Sequence, residues 1–272
     1  WKFWHHPKKL SSTDWLLETF FKPEVADTRP TFLIHHPELI SELKLGDKGV
    51  EKSGLRYYTF EELGPVLGEI GAQSRKAGEI EDAQRTTYQK QVLKLGNAVV
   101  LYQRLKNSLQ PAETHNFAGL IAEYQAALPA GLAAFRAQQA GGTVDQDALR
   151  KFAGLAQQFD ALANMAYPLV IPPADPATDR QGWLNVGTSL IGAIQGRPIH
   201  PAVSHYAQMA EAYAHGNAAE FNRAVAEYQA WLAPQFAKEV GKGSSEYYFN
   251  RIKIFLHATI IYIFAFVLAG GA

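Results

Sequence analysis

Nine histidines are the residues of this chain best suited to ligate a metal or move a proton. Imidazole changes charge near neutral pH and is a common haem and metal ligand. His5-His6 and His35-His36 are adjacent pairs. Neighbouring side chains of an extended chain point to opposite faces, so one such pair does not chelate one metal. Each pair reads either as a surface or helix-end feature or as a source of a single haem or metal ligand. His35 and His36 are retained as candidate cofactor-binding residues. His200 and His205 stand five apart at an expected helix start, whereas two ligands on one helix face need a spacing of three or four. No HExxH, Glu-x-x-His pair or Asp-rich loop accompanies them, and no metal site is expected. His257 differs, because it is the one ionisable side chain within a long apolar run. An imidazole in lipid is costly and is a functional candidate by default. Lying one turn into the run, it either serves haem or protons or faces headgroups.

Other chemistry finds no pattern. The chain has no Cys, which excludes disulfides, thiolate metal sites and cysteine nucleophiles. There is no GxSxG, and Gly187-Thr188-Ser189 is not a nucleophile elbow. Gly241-Lys242-Gly243-Ser244 lacks the first glycine of a phosphate loop. Carboxylates are scattered along helix faces. Lys+Arg and Asp+Glu number 26 each, so no global field invites an acidic partner. Basic and aromatic residues are not interleaved, and no nucleic-acid partner is expected.

The elements that would hold these residues are helical. Residues 1–56 read as an irregular segment, basic and aromatic at its start and without the apolar h-region of a signal peptide. Within it Asp14 to Phe21 is a short amphipathic helix capped by Thr13 or Asp14. Thr31 to Ile34 is a short strand, and Pro37 opens a second short helix stopped by Gly46. Lys44 to Gly54 reads as a charged loop. Residues 57–243 read as a helical domain. Thr59 and Glu62 have the spacing of a capping box, and the helix that follows is broken at Gly64-Pro65. The longest helix is expected from Glu79 to Leu109. Its apolar residues Tyr88, Val92, Leu95, Val99 and Tyr102 are heptad-spaced and call for a partner, expected among the next two helices. Those run from Asn116 to Gln139, with Leu120, Tyr124, Leu128 and Phe135 along one side, and from Asp145 to Met165. Pro168 to Pro176 must be extended and is expected to lie across the bundle. A short helix over Trp183 to Ile194 follows. Pro201 to His215 and Ala218 to Val240 form a hairpin around His215-Gly216-Asn217.

Residues 244–272 read as an interfacial segment and a transmembrane helix. From Ile254 to Leu268 the sequence is IFLHATIIYIFAFVL. Extended to Ala272 it covers about 19 residues, which at about 1.5 Å each approaches the hydrocarbon thickness of a bilayer. Every face is apolar apart from Thr259 and Tyr262, where a core helix of a soluble protein would show a polar face. Tyr247, Tyr248, Arg251 and Lys253 precede it as aromatics and snorkelling cations do at a membrane surface. Lys238, Lys242, Arg251 and Lys253 favour a cytoplasmic N-terminal side, but that rule weakens for long translocated loops, and charge does not decide orientation. The start at Trp1 and the stop just after the apolar run carry the expectation of a piece of a longer membrane protein.

Two stretches resemble one family. The first is TDWLLETFFKPEVADTRPTFLIHHPELISELKL with GLRYYTFEEL, residues 13–63. The second runs from AEAYAHGNAAEFNRAVAEYQAWL, residues 210–232, to SEYYFNRIKIFLHATIIYIFAFVLA, residues 245–269. VIPPADP and Trp183 between them fit as well. These resemble the extracytoplasmic region of c-type cytochrome biogenesis proteins of the CcsA/ResC type. The resemblance implies a polytopic inner-membrane protein that conveys haem outward and assists its attachment to CxxCH motifs of apocytochrome c. It implies haem as cofactor, bound outside these residues, since the family's tryptophan-rich haem motif is not among them. No catalytic or haem residue is therefore transferred, and His257 stands where the family has an aromatic-rich entry without His, a departure that tells against a ligand role for it.

The expected fold is all-α: an irregular helical bundle with a long central helix and a C-terminal transmembrane helix. The expected function is partner docking beside a haem site, on the periplasmic face of the inner membrane. The expected partners are apocytochrome c, a companion cytochrome-assembly subunit and membrane lipid. The alternative is a tetratricopeptide-like adaptor with no haem role, suggested by the hairpin over residues 201–240. A haem lyase-type activity would belong to the full-length family. No catalytic constellation lies within these residues.

Overall fold

The computed structural model describes residues 10–252 and 254–270. His5-His6 and the rest of the basic, aromatic start lie outside the described residues. The fold is all-α apart from one small sheet.

The N-terminal lobe begins with α1 (Ser12–Phe21), α2 (Pro23–Ala26), β1 (Phe32–Leu33) and α3 (Pro37–Glu42). The cap of α1 is Ser11, in a full capping box with Asp14, two or three residues before the caps expected from the sequence, Thr13 or Asp14. Pro23 and Pro37 open α2 and α3, where a missing N–H costs nothing. The charged stretch expected as a loop instead forms a hairpin of β2 (Val50–Lys52) and β3 (Leu55–Tyr58). Ser53 and Gly54 form its turn with φ of 55° and 74°, the left-handed pair of a type I′ turn. β3 is central, in antiparallel order β1-β3-β2, with Phe32 opposite Tyr58 and Val50 opposite Tyr57. β2 is exposed on both faces, so it shows no apolar alternation for a sequence reading to detect.

Thr59 and Glu62 close the expected capping box at α4 (Phe60–Leu63). A 3-10 turn carries Gly64-Pro65, and α5 (Leu67–Gly78) follows. The helix expected over 79–109 is shorter, α6 (Thr87–Lys106), because Thr86 caps it with Gln89 and a 3-10 turn occupies Asp82–Gln84. The expected seam is real: Val92, Leu95, Val99 and Tyr102 are buried. Its partner is not. α6 packs antiparallel on α5 and against α1, α3 and β1, joining Phe32, Leu39, Leu63 and Ile70 in one core. Gly96 makes this close approach possible, because a Cβ there would lie 2.3 Å from the Ser74 hydroxyl.

α7 (Phe117–Gln139) and α8 (Gln146–Met165) satisfy each other, which is why neither serves α6. Asn116 and Asp145 cap them with side-chain oxygens. Tyr124 sits edge-on to Phe159 at 4.8 Å and parallel to Phe152 at 6.4 Å. Phe135, expected on the inner side of α7, is exposed. The buried positions are Phe117, Ile121, Tyr124 and Ala134. A second core collects Phe117, Ile121 and Tyr124 with Leu155, Leu162, Val186, Val203 and Met209.

Residues 166–185 are non-helical, extended where Pro168 and its neighbours require it and turned over 176–178, and they lie across the second core. Ile171 is buried and bridges to Leu184. The carbonyl of Val170 accepts the hydroxyls of Tyr206 at 3.3 Å and Tyr228 at 3.2 Å. α9 (Val186–Ile191), shorter than expected, runs into a 3-10 turn over Gly192–Gln195. α10 (Pro201–Ala214) and α11 (Ala218–Ile252) form the hairpin. α11 does not stop near Val240. It continues to Ile252, bent at Phe236, and is the longest helix described. α12 (Ile254–Gly270) follows. Its described side chains are solvent-facing, Phe255 at 75% and Phe266 at 80% exposure. Among the described residues one helical stretch is long and apolar enough to cross a membrane.

Candidate functional site: a groove between the first helices and the last hairpin

α1 and α2 reach the α10–α11 turn across the molecule. The capping box aims α1 so that Leu17 and Phe21 face inward. Gly216, with φ of 67°, ends α10 in the left-handed region. That turn brings Tyr213 and Phe221 together at 5.7 Å. Phe21 meets Tyr213 at 5.7 Å and Phe221 at 6.0 Å. The Tyr213 and Phe221 rings make the floor of a groove of about 490 Å³, with Leu17, Val25 and Ala218 on its walls, and buried Phe21 supports them from behind. Volumes of this order suit ligands or peptide side chains held by an apolar floor and a few polar groups.

The rim is polar and ordered. Glu18 takes a bidentate pair from Arg29 at 2.8 and 2.9 Å, a geometry that fixes both side chains. That hydrogen bond raises the Arg29 guanidinium pKa further above its ordinary value, against the effect of burial. Lys22 lies 5.8 Å from the centre of the Tyr213 ring. Burial, then the negative charges of Glu18 and Asp14, push the Tyr213 phenol up, so it stays a neutral hydrogen-bonding group at physiological pH.

Two further clefts continue the groove around α2. One of about 320 Å³ shares Lys22 and Val25 and adds Phe21, His115 and His215. The other, of about 700 Å³, shares Glu24, Thr114 and His115 and ends at Met165 on α8. Between them the ion pair of Lys106 with Asp27, 3.0 Å, anchors α2 to α6. Tyr102 donates to the same carboxylate at 2.8 Å. The Nδ1 of His215 donates to the Glu211 carbonyl at 2.8 Å, which leaves Nε2 as the free acceptor. No three metal-ligating side chains converge among the described residues. Among the described residues, neither a nucleophile paired with a base nor a carboxylate pair lines the groove.

The histidines retained from the sequence lie elsewhere. His35 is exposed on the N-terminal lobe. His36 precedes α3, its ring 5.6 Å edge-on from Tyr88 and its buried Nδ1 without a hydrogen-bond partner. His257 is exposed on α12. The structure brings none of the three to the groove. A haem site needs an imidazole facing a flat apolar slot, and His35, His36 and His257 line none of the three clefts around α2. His200 and His205, five apart in sequence, do meet around one ring, 5.6 and 6.0 Å from Trp231. His200 caps α10 by accepting the Ala202 N–H, which is a structural role.

Sequence reasoning missed Leu17, Lys22, Tyr213 and Phe221 as a set, and also His115. Nothing local marks them, since they join only when α1 docks on the final hairpin. No family model, curated protein or solved structure matches this chain.

Proposed function

We propose that this chain is an extracytoplasmic docking domain of an inner-membrane protein for haem delivery and c-type cytochrome assembly. Apocytochrome c or a companion assembly subunit would enter the groove over Tyr213 and Phe221. One observation carries the reading. The stretches 13–63 and 210–232, which resemble the CcsA/ResC family, are far apart in sequence yet meet to line one groove. The helical stretch that ends in α12, Ala218–Ala269, is long and apolar enough to span a bilayer and supports the membrane half of the reading. Haem, when present, supplies the iron-porphyrin to be attached to the apocytochrome thiols. The residues described here bind and orient the partner and do not ligate the iron.

The test is a photo-crosslinker at Asn222, on the groove rim, in the full chain held in lipid nanodiscs. Crosslinking to a peptide bearing a CxxCH motif is expected, with competition by unlabelled peptide. A label at Gln157 on α8, away from the groove, is the control. Equal crosslinking from both positions, or from neither, would overturn the proposal. Crosslinking that ignores the CxxCH motif would favour the haem-free adaptor instead.

A further inference from the structure

α11 bends where its sequence demands it. Pro234 removes one helical N–H and crowds the carbonyl four residues earlier, and Phe236 leaves helical geometry, with φ −129° and ψ 36°. The residues on either side differ sharply. Before the bend, α11 packs on α10 through Ala224 and Tyr228. Beyond it, Gly241 to Phe249 are exposed on every face. That stalk contains Gly241, Gly243, Ser244 and Ser245, poor helix formers with no packing to compensate. A proline bend followed by an unpacked helix is a hinge unless something crosses it.

Something does. The extended segment 170–184 touches α11 before, at and beyond the bend. Val170 accepts the Tyr228 hydroxyl before it. The Trp183 ring meets Phe236, which is fully buried, at 5.4 Å. Arg180 makes a two-pronged pair with Glu239 beyond it, at 3.0 and 2.9 Å. The tip of the segment is itself rigid. Asp179 accepts the N–H groups of Gln181 and Gly182, the Trp183 indole donates to the Arg180 carbonyl at 3.2 Å, and Gly182 leaves no space for a Cβ beside Asp179.

We infer that segment 170–184 is a splint across the α11 hinge, with Arg180–Glu239 as its releasable latch, setting the angle between the helical domain and the stalk that leads to α12. The latch is the part that can open. Arg180 and Glu239 are half-exposed, and exposed ion pairs are weak and screened by salt. Trp183 on Phe236 is the part that holds. The inference rests on α12 lying in lipid, not on haem or on any partner.

The chain has no Cys, so two introduced cysteines report alone. Ser204→Cys on α10 and Ser245→Cys on the stalk, both exposed, are spin-labelled in the full chain in nanodiscs, and the distance distribution between them is measured. One narrow distance is expected in this background. Arg180→Glu should broaden it or split it, and Arg180→Glu with Glu239→Arg should restore it. Trp183→Ala should broaden it as well. A distribution already broad without further change, indifferent to Arg180→Glu, or not restored by the charge exchange would overturn the splint. Such a failure would leave the docking proposal standing, because the labels read geometry and not partner capture.

Discussion

At the scale of single residues, two side chains hold more than their sequence neighbourhood suggests. Glu62 accepts the N–H of Thr59 at 2.8 Å and that of Gly49 at 2.9 Å, joining the hairpin to the cap of α4. Burial alone would raise its carboxyl pKa. The backbone N–H groups of Thr59 and Gly49 outweigh it, and the pKa falls below the ordinary value. Glu62→Ala is expected to cost about 1–2 kcal/mol in urea unfolding, a lost cap plus an unpaired N–H. His200 is the pH-sensitive one. Its Nδ1 accepts the Ala202 N–H at 3.2 Å, so it must be unprotonated there, and burial lowers its pKa. The folded state thus binds a proton less readily than the unfolded chain. The stability it contributes is complete above the unfolded value of about 6.5 and is lost as pH falls below it. His200→Asn keeps a cap that does not titrate. Its melting temperature should fall less than that of the parent when pH drops from about 7 to about 5.

At the scale of elements, close approaches decide which helices pair. α9 lies directly on the backbone of α8: a Cβ at Gly187 would sit 2.1 Å from the Ala163 nitrogen. Backbone cannot yield as a side-chain tip does, so Gly187→Ala should destabilise by about 3 kcal/mol, read from the denaturation midpoint. Gly154, where a Cβ meets nothing, is the matched control, and Gly154→Ala on α8 should be neutral or slightly stabilising. Helix existence was largely legible beforehand, since Asn116, Asp145 and Thr59 are caps with a local mechanism. Helix pairing was not. The seam of α6 declares that it wants a partner, but not that the short connection after α5 delivers one first. The hairpin of β2 and β3 stayed hidden because its exposed faces erase the period-2 signal, although Ser53-Gly54 is a turn dipeptide.

At the scale of the whole molecule, the large apolar side chains described on α12 are exposed, and none of its apolar stretch is buried in the bundle. Patches of that extent are rare on soluble monomers. A chain ending at Ile252 should be monomeric in sedimentation without detergent, while the 272-residue chain should need detergent or lipid. The reverse result would place α12 inside a protein core. The groove between Leu17 on one side and Tyr213 and Phe221 on the other also exists only at this scale, since one wall comes from the first helix and the other from the last hairpin.

The sequence by itself determined the helical class, most helix starts, the extended proline stretch and the apolar C-terminal helix. All of these rest on local causes: capping side chains, proline's missing N–H, and composition over about 18 residues. Tertiary structure alone decided that α6 serves α5, that α1 lies against α10 and α11, and that segment 170–184 crosses a bend in α11. Those outcomes depend on which apolar faces find each other first and how closely backbones can approach. Glycines such as Gly96 and Gly187 set that approach, and their effect is visible only once the facing atom is known.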